Sequence, residues 1–207
     1  MATTSVPRVT DRGDFFAGLD AHLHQGLAPV ALALTDLDNF AAINTDYGRA
    51  AGDAVLLAWD RVLRVNLPRE GSAVRLGGDE FAVVLPGTSA ENAVVLLAEL
   101  QRHFAGMAVE GVAGPVSVSA GVAANPPHGT TAGDLHRAAG EALMRAKRDG
   151  RDRVAMYVEE KMVLKSNYYS KANLERLAKL SSATDRTEAS LLREALDDLL
   201  DKHKDAL

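Results

Sequence analysis

Apolar runs typical of β-strands alternate with helical patterns up to residue 158, and this alternation limits the fold more than any other feature of the sequence. The strand-like runs are Val30–Thr35, Ala73–Leu76, Phe81–Leu85, Val116–Ala123 and Arg153–Val158. The helical patterns are Asp14–Gln25, Gly52–Leu67, Ala90–His103 and Ala132–Arg148. Strands that alternate with helices of this length favour a central sheet covered by helices. We therefore predict an α/β fold, α+β in its details, for residues 1–158, and a second, smaller domain over 159–207.

The composition supports a folded chain and excludes several kinds of chemistry. Hydrophobic residues make up 47% of the 207 residues and charged residues 25%, which is enough to bury a core. The absence of cysteine excludes disulfides, thiolate metal sites and thiol nucleophiles. No apolar run approaches the roughly 20 residues of a membrane span. The first residues also lack the pattern of a secretory signal. We expect a cytoplasmic protein that makes no membrane contact.

The charge is distributed unevenly along the chain. The net charge is −5, and it arises before residue 160, because residues 160–207 carry nine basic and nine acidic side chains. Neither part has the overall positive charge of a nucleic-acid-binding domain. Any contact with DNA would therefore have to come from a local patch.

Two acidic clusters follow strand-like runs. Asp36 and Asp38 come directly after a buried run, and alternate residues of a strand share a face. Such a pair is also common as a turn or a helix cap. The second cluster, Asp79 and Glu80, follows Gly77-Gly78, a two-residue hairpin signal between two apolar runs. Because Mg²⁺ favours a few carboxylates plus substrate phosphates, acidic clusters at converging strand ends predict a divalent-cation site.

These residues resemble the motifs of GGDEF-domain diguanylate cyclases, which condense two GTP molecules into cyclic di-GMP. The signature is Gly77-Gly78-Asp79-Glu80-Phe81. The other matching segments are Asp36-Leu37-Asp38-Asn39-Phe40, Ile43-Asn44, Tyr47-Gly48, Gly52-Asp53, Val116–Val122, Glu141-Ala142-Leu143, Ala146-Lys147 and Gly150-Arg151. The resemblance covers roughly residues 8–158. It implies a palm-like nucleotidyl-cyclase sheet flanked by helices.

The resemblance also implies a set of site residues. Asp79, with Glu80 beside it, would be catalytic at the attacking 3′-hydroxyl. Asp36, Asp79 and the backbone carbonyl of Leu37 would bind Mg²⁺ or Mn²⁺. The residues implied to contact GTP are Phe40, Asn44, Asp53, Gly77, Gly78, Lys147 and Arg151. Lys147 and Arg151 also have a simpler interpretation, because cations four residues apart at a helix C-terminus suit the helix dipole.

The sequence departs from the family pattern at several places. Ala41 stands where a phosphate-binding lysine is common, and Arg49 is our candidate for supplying the missing cation to GTP. The family's product-inhibition motif, Arg-x-x-Asp, would fall on Pro68-Arg69-Glu70-Gly71. The usual product-binding site is therefore expected to be lost or altered.

The last part of the chain resembles ribbon-helix-helix proteins over about residues 161–203. A strand-like run at Lys161–Tyr169 is followed by two amphipathic helical patterns, with Ser170 and Thr187 as their predicted N-caps. One strand and two such helices cannot bury their apolar faces alone, so we expect a homodimer. Ribbon-helix-helix strands can enter the DNA major groove, which makes DNA a second candidate partner. Dimerisation without DNA is the simpler interpretation.

Two functions are therefore open at the level of sequence. The first is a diguanylate cyclase that uses GTP and Mg²⁺, releases pyrophosphate and is dimerised by its C-terminal segment. The second is a DNA-binding regulator whose GGDEF domain senses GTP or cyclic di-GMP without catalysis. The acidic residues Asp36, Asp79 and Glu80 favour the enzyme, whereas Ala41 is the main argument for the sensor.

Overall fold

The computed structural model describes residues 12–26, 29–159, 168–184 and 186–204, and the chain divides into two compact units, Met1–Glu160 and Lys161–Leu207. The elements of the first unit, in chain order, are α1 (Arg12–Gln25), β1 (Val30–Leu37), α2 (Phe40–Tyr47), α3 (Arg49–Asn66), β2 (Ser72–Gly77), β3 (Glu80–Pro86), α4 (Ala90–Ala105), β4 (Val118–Asn125), α5 (Ala132–Arg148) and β5 (Val154–Met156). In the second unit, the described helices are α6 (Lys171–Thr184) and α7 (Glu188–Lys202). Among the described residues, no helix is both long and apolar enough to span a lipid bilayer.

The five strands form one sheet in the order β2-β3-β1-β4-β5. All neighbours are antiparallel except β4 and β5. Side chains alternate between the faces of β1: Ala31 and Ala33 face one apolar cluster, whereas Leu32 and Leu34 face the other. Helices α3 and α4 contribute to the first cluster, and α1 and α5 to the second. This is the sheet covered by helices that the alternation predicts.

Two packing contacts fix the elements that surround the end of β1. Trp59 of α3 is fully buried, and its Nε1 donates a hydrogen bond to Thr35 Oγ1 of β1 at 3.0 Å. On the other face, a Cβ at Gly121 of β4 would lie 2.1 Å from backbone atoms of Ala139 and Leu143 in α5. Since only a glycine permits this approach, α5 lies directly against the sheet. Gly121 thus gives a physical reason for one of the matching sequence segments.

Several predicted boundaries were wrong. The segment predicted to form one helix from Gly52 is preceded by the separate helix α2, and α3 itself begins at Arg49. Strand β4 lies two residues later than predicted, and β5 is only three residues long. The predicted helix Ala132–Arg148 is confirmed at both ends. At its N-terminus, Thr131 caps α5 by accepting a hydrogen bond from the Asp134 N–H.

The second unit is a pair of helices with little core of its own. Both predicted N-caps are confirmed: Ser170 Oγ accepts from the Asn173 N–H, and Thr187 Oγ1 accepts from the Ser190 N–H, each at 3.2 Å. Of the described residues of this unit, Leu191 alone is buried. The predicted strand over 161–169 lies outside the described residues, apart from Tyr168 and Tyr169, which belong to neither a helix nor a strand.

Candidate active site

The antiparallel pairing of β1 with β3 brings the two acidic clusters to one edge of the sheet. Asp36, next to last in β1, is paired in register with Glu80, the first residue of β3. The Leu37 N–H donates a hydrogen bond to the Asp79 carbonyl oxygen at 3.3 Å. Residues separated by more than forty positions in sequence are therefore neighbours here.

The turn that carries Asp79 differs from the predicted one by a residue. The strands pair Gly77 with Glu80, so Gly78 and Asp79 form the turn, and a register irregularity lies between Arg75 and Gly77. Gly78 has φ 54°, a backbone conformation that glycine adopts without steric cost. The Arg75 Nε donates to the Gly78 carbonyl at 2.8 Å. The irregularity moves Asp79 into the turn, where its carboxylate is only half-buried.

Asp36 has a basic partner in helix α5. Its Oδ2 lies 2.7 Å from Lys147 Nζ, near the C-terminus of α5. Burial raises the pKa of Asp36 above its ordinary value, the hydrogen bond from Lys147 opposes this rise, and the negative charges of Asp79 and Asp38 add to it. Asp36 is therefore a partly buried carboxylate among like charges, an environment that favours a bound cation.

This carboxylate set fits a divalent metal of the magnesium class. The described residues contain no group of three or more His, Cys, Asp or Glu side chains arranged around one metal position. Mg²⁺ needs fewer protein ligands, since it usually keeps one or two carboxylates and completes its shell with water and substrate phosphates. Asp36 and Asp79 supply two carboxylates whose charges act on each other.

An open cleft of about 360 Å³ lies between α3 and the β2–β3 hairpin. The residues that line it are Asp53, Leu56, Leu57, Asp60, Arg75 and Phe81. Its floor is apolar, and the carboxylate of Asp53 is exposed at it. A planar base could lie on such a surface while a carboxylate accepts hydrogen bonds from its edge.

Asn44 of α2 packs against Gly52 of α3. The Asn44 amide nitrogen donates to the Phe40 carbonyl at 3.1 Å, one turn earlier in α2. A Cβ at Gly52 would lie 2.2 Å from Asn44 Oδ1. Gly52 directly precedes Asp53 in α3. Because Gly52 has no side chain, it makes room for the Asn44 amide.

The remaining predicted residues lie on three other segments. Ala41 is exposed in the first turn of α2, and Arg49 is exposed as the first residue of α3. Arg151 lies beyond the end of α5 in a left-handed backbone conformation, with φ 62°. Arg151 is thus not on the helix, so the simpler interpretation of a cation at a helix end applies to Lys147 alone, which is in the last turn of α5.

Asp38, grouped with Asp36 in the sequence, has a different environment. It is buried, and its carboxylate accepts hydrogen bonds from Ser117 Oγ at 2.8 Å, Ser119 Oγ at 2.7 Å and the Asp152 N–H at 3.0 Å. Sequence reasoning missed this network because the serines are about eighty residues away and carry no pattern that links them to Asp38.

The segment in place of the product-inhibition motif forms a tight turn. The Gly71 N–H donates to the Pro68 carbonyl at 2.8 Å, and Arg69 and Glu70 are exposed. Gly71 occupies the motif's aspartate position and Pro68 its arginine position. Neither required side chain is present at its own position.

The comparison with known families decides the family of the chain. A family model described as "Diguanylate cyclase, GGDEF domain" matches residues 7–153. The chain belongs to the GGDEF diguanylate cyclase family. The match includes helices α1 to α5 and strands β1 to β4, and it ends just before β5.

Named relatives and solved structures agree with this assignment. The diguanylate cyclase DgcP of Pseudomonas aeruginosa is 37% identical over 135 residues, which cover 65% of this chain and 20% of DgcP. DgcM of Escherichia coli is 38% identical over 125 residues, which cover 60% of this chain and 30% of DgcM. The chain thus spans less than a third of the length of these GGDEF relatives.

Two solved GGDEF domains have the same fold. The active GGEEF domain of a diguanylate cyclase from Vibrio cholerae superposes with a TM-score of 0.69 at 27% identity, covering 73% of this chain and 99% of that domain. The GGDEF domain of DgcB from Caulobacter crescentus, solved in complex with c-di-GMP, gives 0.66 at 26% identity, covering 76% and 98%. The predicted fold class is confirmed.

Proposed function

We propose that this chain is a diguanylate cyclase that condenses two GTP molecules into cyclic di-GMP and releases pyrophosphate. The observation that carries the proposal is the environment of Asp36. Its carboxylate lies beside the Asp79 turn and 2.7 Å from Lys147, so acidic groups and a lysine ammonium meet at one edge of the sheet. Phosphoryl transfer needs this combination, because it depends on alignment and charge neutralisation rather than on a protein nucleophile.

The acidic groups have two roles in the proposal. Asp36, Asp79 and the Leu37 carbonyl would hold Mg²⁺ or Mn²⁺, which when bound neutralises charge on the triphosphate. Asp79, with Glu80 beside it, would orient the attacking 3′-hydroxyl and accept its proton. Asp79 and Glu80 are both half-buried, so their carboxylates are accessible to a substrate.

Separate residues would recognise the two ends of GTP. In the cleft beside α3, the Asp53 carboxylate would accept from the adjacent N–H donors of guanine, a pair that adenine cannot offer. Asn44 would contact the same base, and Phe40 would be a further contact to GTP. At the other end, Lys147 would exchange Asp36 for a phosphate oxygen. Arg151, Arg49 and the backbone of Gly77-Gly78 would complete the phosphate contacts.

The reaction requires two copies of this site. The 3′-hydroxyl of each GTP attacks the α-phosphate of the other, the bond between the α-phosphate and the leaving pyrophosphate breaks, and two such steps close the ring. One GGDEF domain provides a single set of the residues above. The active form is therefore a homodimer with its sites face to face.

The second unit is our proposed dimerisation element, of the ribbon-helix-helix type. Leucines that would fill a core are exposed instead: Leu174, Leu180, Leu196, Leu199 and Leu200 are each between 43% and 54% exposed. An apolar groove of about 530 Å³ runs beside α6 and receives Leu192 from α7. A second copy is the proposed occupant, since so short a unit cannot bury a sufficient core alone. The balanced charge of this segment gives DNA no comparable support.

Pyrophosphate release from GTP with Mg²⁺ tests the proposed site. We expect Asp36→Asn and Asp79→Asn each to lower the rate by about 10²- to 10³-fold or more, the range seen when a transition-state charge partner is removed. Glu141→Gln is the matched control, because Glu141 is an exposed α5 carboxylate that pairs with Arg137. A full rate in Asp79→Asn would overturn the proposed site.

A further inference from the structure

The buried Asp38 connects the end of β1 to the loop that follows α5. Asp38 is 4% exposed, and its carboxylate accepts three hydrogen bonds, from the hydroxyls of Ser117 and Ser119 and from the Asp152 N–H. The serines belong to the segment that forms or precedes β4. The Asp152 N–H belongs to the loop between α5 and β5, and only this third bond crosses to the residues beside Arg151.

That loop has a backbone that must be held in place. Arg151 and Asp152 have φ values of 62° and 46°, in the left-handed region that residues with a side chain rarely adopt. Such conformations persist where the surrounding structure determines them from several sides. The Arg151 N–H donates to the Ala146 carbonyl at 3.0 Å, which fixes the first of the two residues.

Asp152 is fixed from two further sides. Asp38 accepts from its N–H, and its Oδ1 accepts a hydrogen bond from Gln101 Nε2 at 2.9 Å. Gln101 is itself buried and also donates to the Val118 carbonyl at 2.9 Å. Asp38 and Gln101 therefore hold the residue next to Arg151 between β1, α4 and β4.

We propose that Asp38, assisted by Gln101, is a positioning residue that holds Arg151 in place for the triphosphate of the substrate. This inference rests on the proposed function, in which Arg151 contacts phosphate. In this role Asp38 would contact neither substrate nor metal. It acts through the Asp152 N–H, and its oxygens are already occupied by three donors.

The role makes a prediction that depends on the number of phosphates in the ligand. Asp38→Ala removes the acceptor of the Asp152 N–H, so the loop relaxes and Arg151 loses its position. We expect the affinity for a GTP analogue with a methylene group between the α- and β-phosphates to fall by about 10- to 100-fold, as when the partner that orients a binding group is removed. The affinity for GMP, measured by the same titration in Mg²⁺, should stay unchanged.

The conservative variant separates positioning from charge. Asp38→Asn keeps one oxygen for the Asp152 N–H, and the Ser119 hydroxyl can accept from the new amide. We therefore expect Asp38→Asn to bind the GTP analogue nearly as the parent protein does. An Asp38→Asn variant as weak as Asp38→Ala would overturn the inference, because it would mean that the negative charge itself is needed, as in a metal ligand.

Two further variants protect the test against a general loss of stability. Gln101→Leu loosens Asp152 from the other side and should weaken the GTP analogue in the same selective way if Asp38→Ala does not fold. Thr35→Val, in β1 three residues before Asp38, removes the buried hydroxyl that accepts a hydrogen bond from Trp59 of α3. It should lower thermal stability while leaving the ratio of GTP-analogue to GMP affinity unchanged.

A double-mutant comparison identifies the residue through which Asp38 acts. In an Arg151→Ala background, Asp38→Ala should cause no further loss of affinity for the GTP analogue, because the two changes remove one interaction. Additive losses would overturn the inference. If the parent protein binds neither guanine ligand, the proposed function fails; if it binds both and Asp38→Ala weakens them equally, only the positioning role fails.

Discussion

Gly52 leaves the space that the Asn44 amide occupies, and Asn44 is our proposed contact to guanine. Because a Cβ at this position would lie 2.2 Å from Asn44 Oδ1, Gly52→Ala must displace the Asn44 amide. We expect the affinity for GMP to fall by about 3- to 10-fold, the net value of one hydrogen bond, and selectivity for GTP over ATP to fall with it. Titration of the variant with GMP measures the first effect directly.

Gly140→Ala is the matched control for this prediction. Gly140 lies in α5, and a Cβ there would make only an ordinary contact, 3.8 Å from Leu34 Cδ1. This variant should bind GMP normally and be slightly more stable, because alanine restricts the unfolded chain. Unchanged GMP affinity in Gly52→Ala would show that Asn44 does not read guanine from its observed position.

At the residue scale, sequence reasoning succeeded where chemistry and local position coincide. Asp36 lies at the end of β1, Glu80 begins β3 and Asp79 directly precedes it, so antiparallel pairing was enough to bring them together. Asp38 could not be assigned in the same way, because its partners Ser117 and Ser119 are fixed by long-range pairing. Whether the predicted site residues bind GTP stays a prediction.

At the element scale, helix α5 and helix α2 show what a sequence pattern can and cannot define. Helix α5 has the capping residue Thr131 and a continuous apolar face, and both of its ends were predicted. Helix α2 follows Asn39, which has φ 56° and makes no side-chain cap, and it buries only Ile43. Without a cap or a periodic apolar face, nothing in the local sequence indicated α2.

The turn at Pro68–Gly71 leads to a prediction about product inhibition. Because Pro68 and Gly71 replace the arginine and aspartate of the usual motif, cyclic di-GMP should not bind tightly there. We expect cyclic di-GMP at micromolar concentration to have little effect on initial rates of pyrophosphate release. Strong non-competitive inhibition that disappears in Arg69→Ala would contradict this prediction and reveal a variant product site.

At the scale of the whole molecule, the second unit is expected to govern activity through assembly. Its exposed leucines predict a dimer even without nucleotide. Tethering two GGDEF domains raises their effective concentration towards roughly millimolar. Deleting residues 160–207 should therefore give a monomer whose specific activity rises steeply with protein concentration, whereas the full chain should vary little.

Sedimentation and specific activity of both proteins across a dilution series test this prediction, with and without duplex DNA. A full chain that stays monomeric at high concentration would contradict the proposed dimerisation element. A truncated protein that is faster at every dilution would show that residues 160–207 hold the sites apart. A change in sedimentation on addition of duplex DNA would support the predicted DNA contact through residues 161–203.

The most direct test of the central claim is to identify what the full chain makes from GTP. The protein is incubated with Mg²⁺ and GTP at a concentration at which it is dimeric, and the nucleotides are identified by mass spectrometry. Our account predicts cyclic di-GMP, with two pyrophosphates released for each molecule formed. Recovery of bound, unreacted GTP as the sole guanine nucleotide would contradict the account and favour a nucleotide sensor.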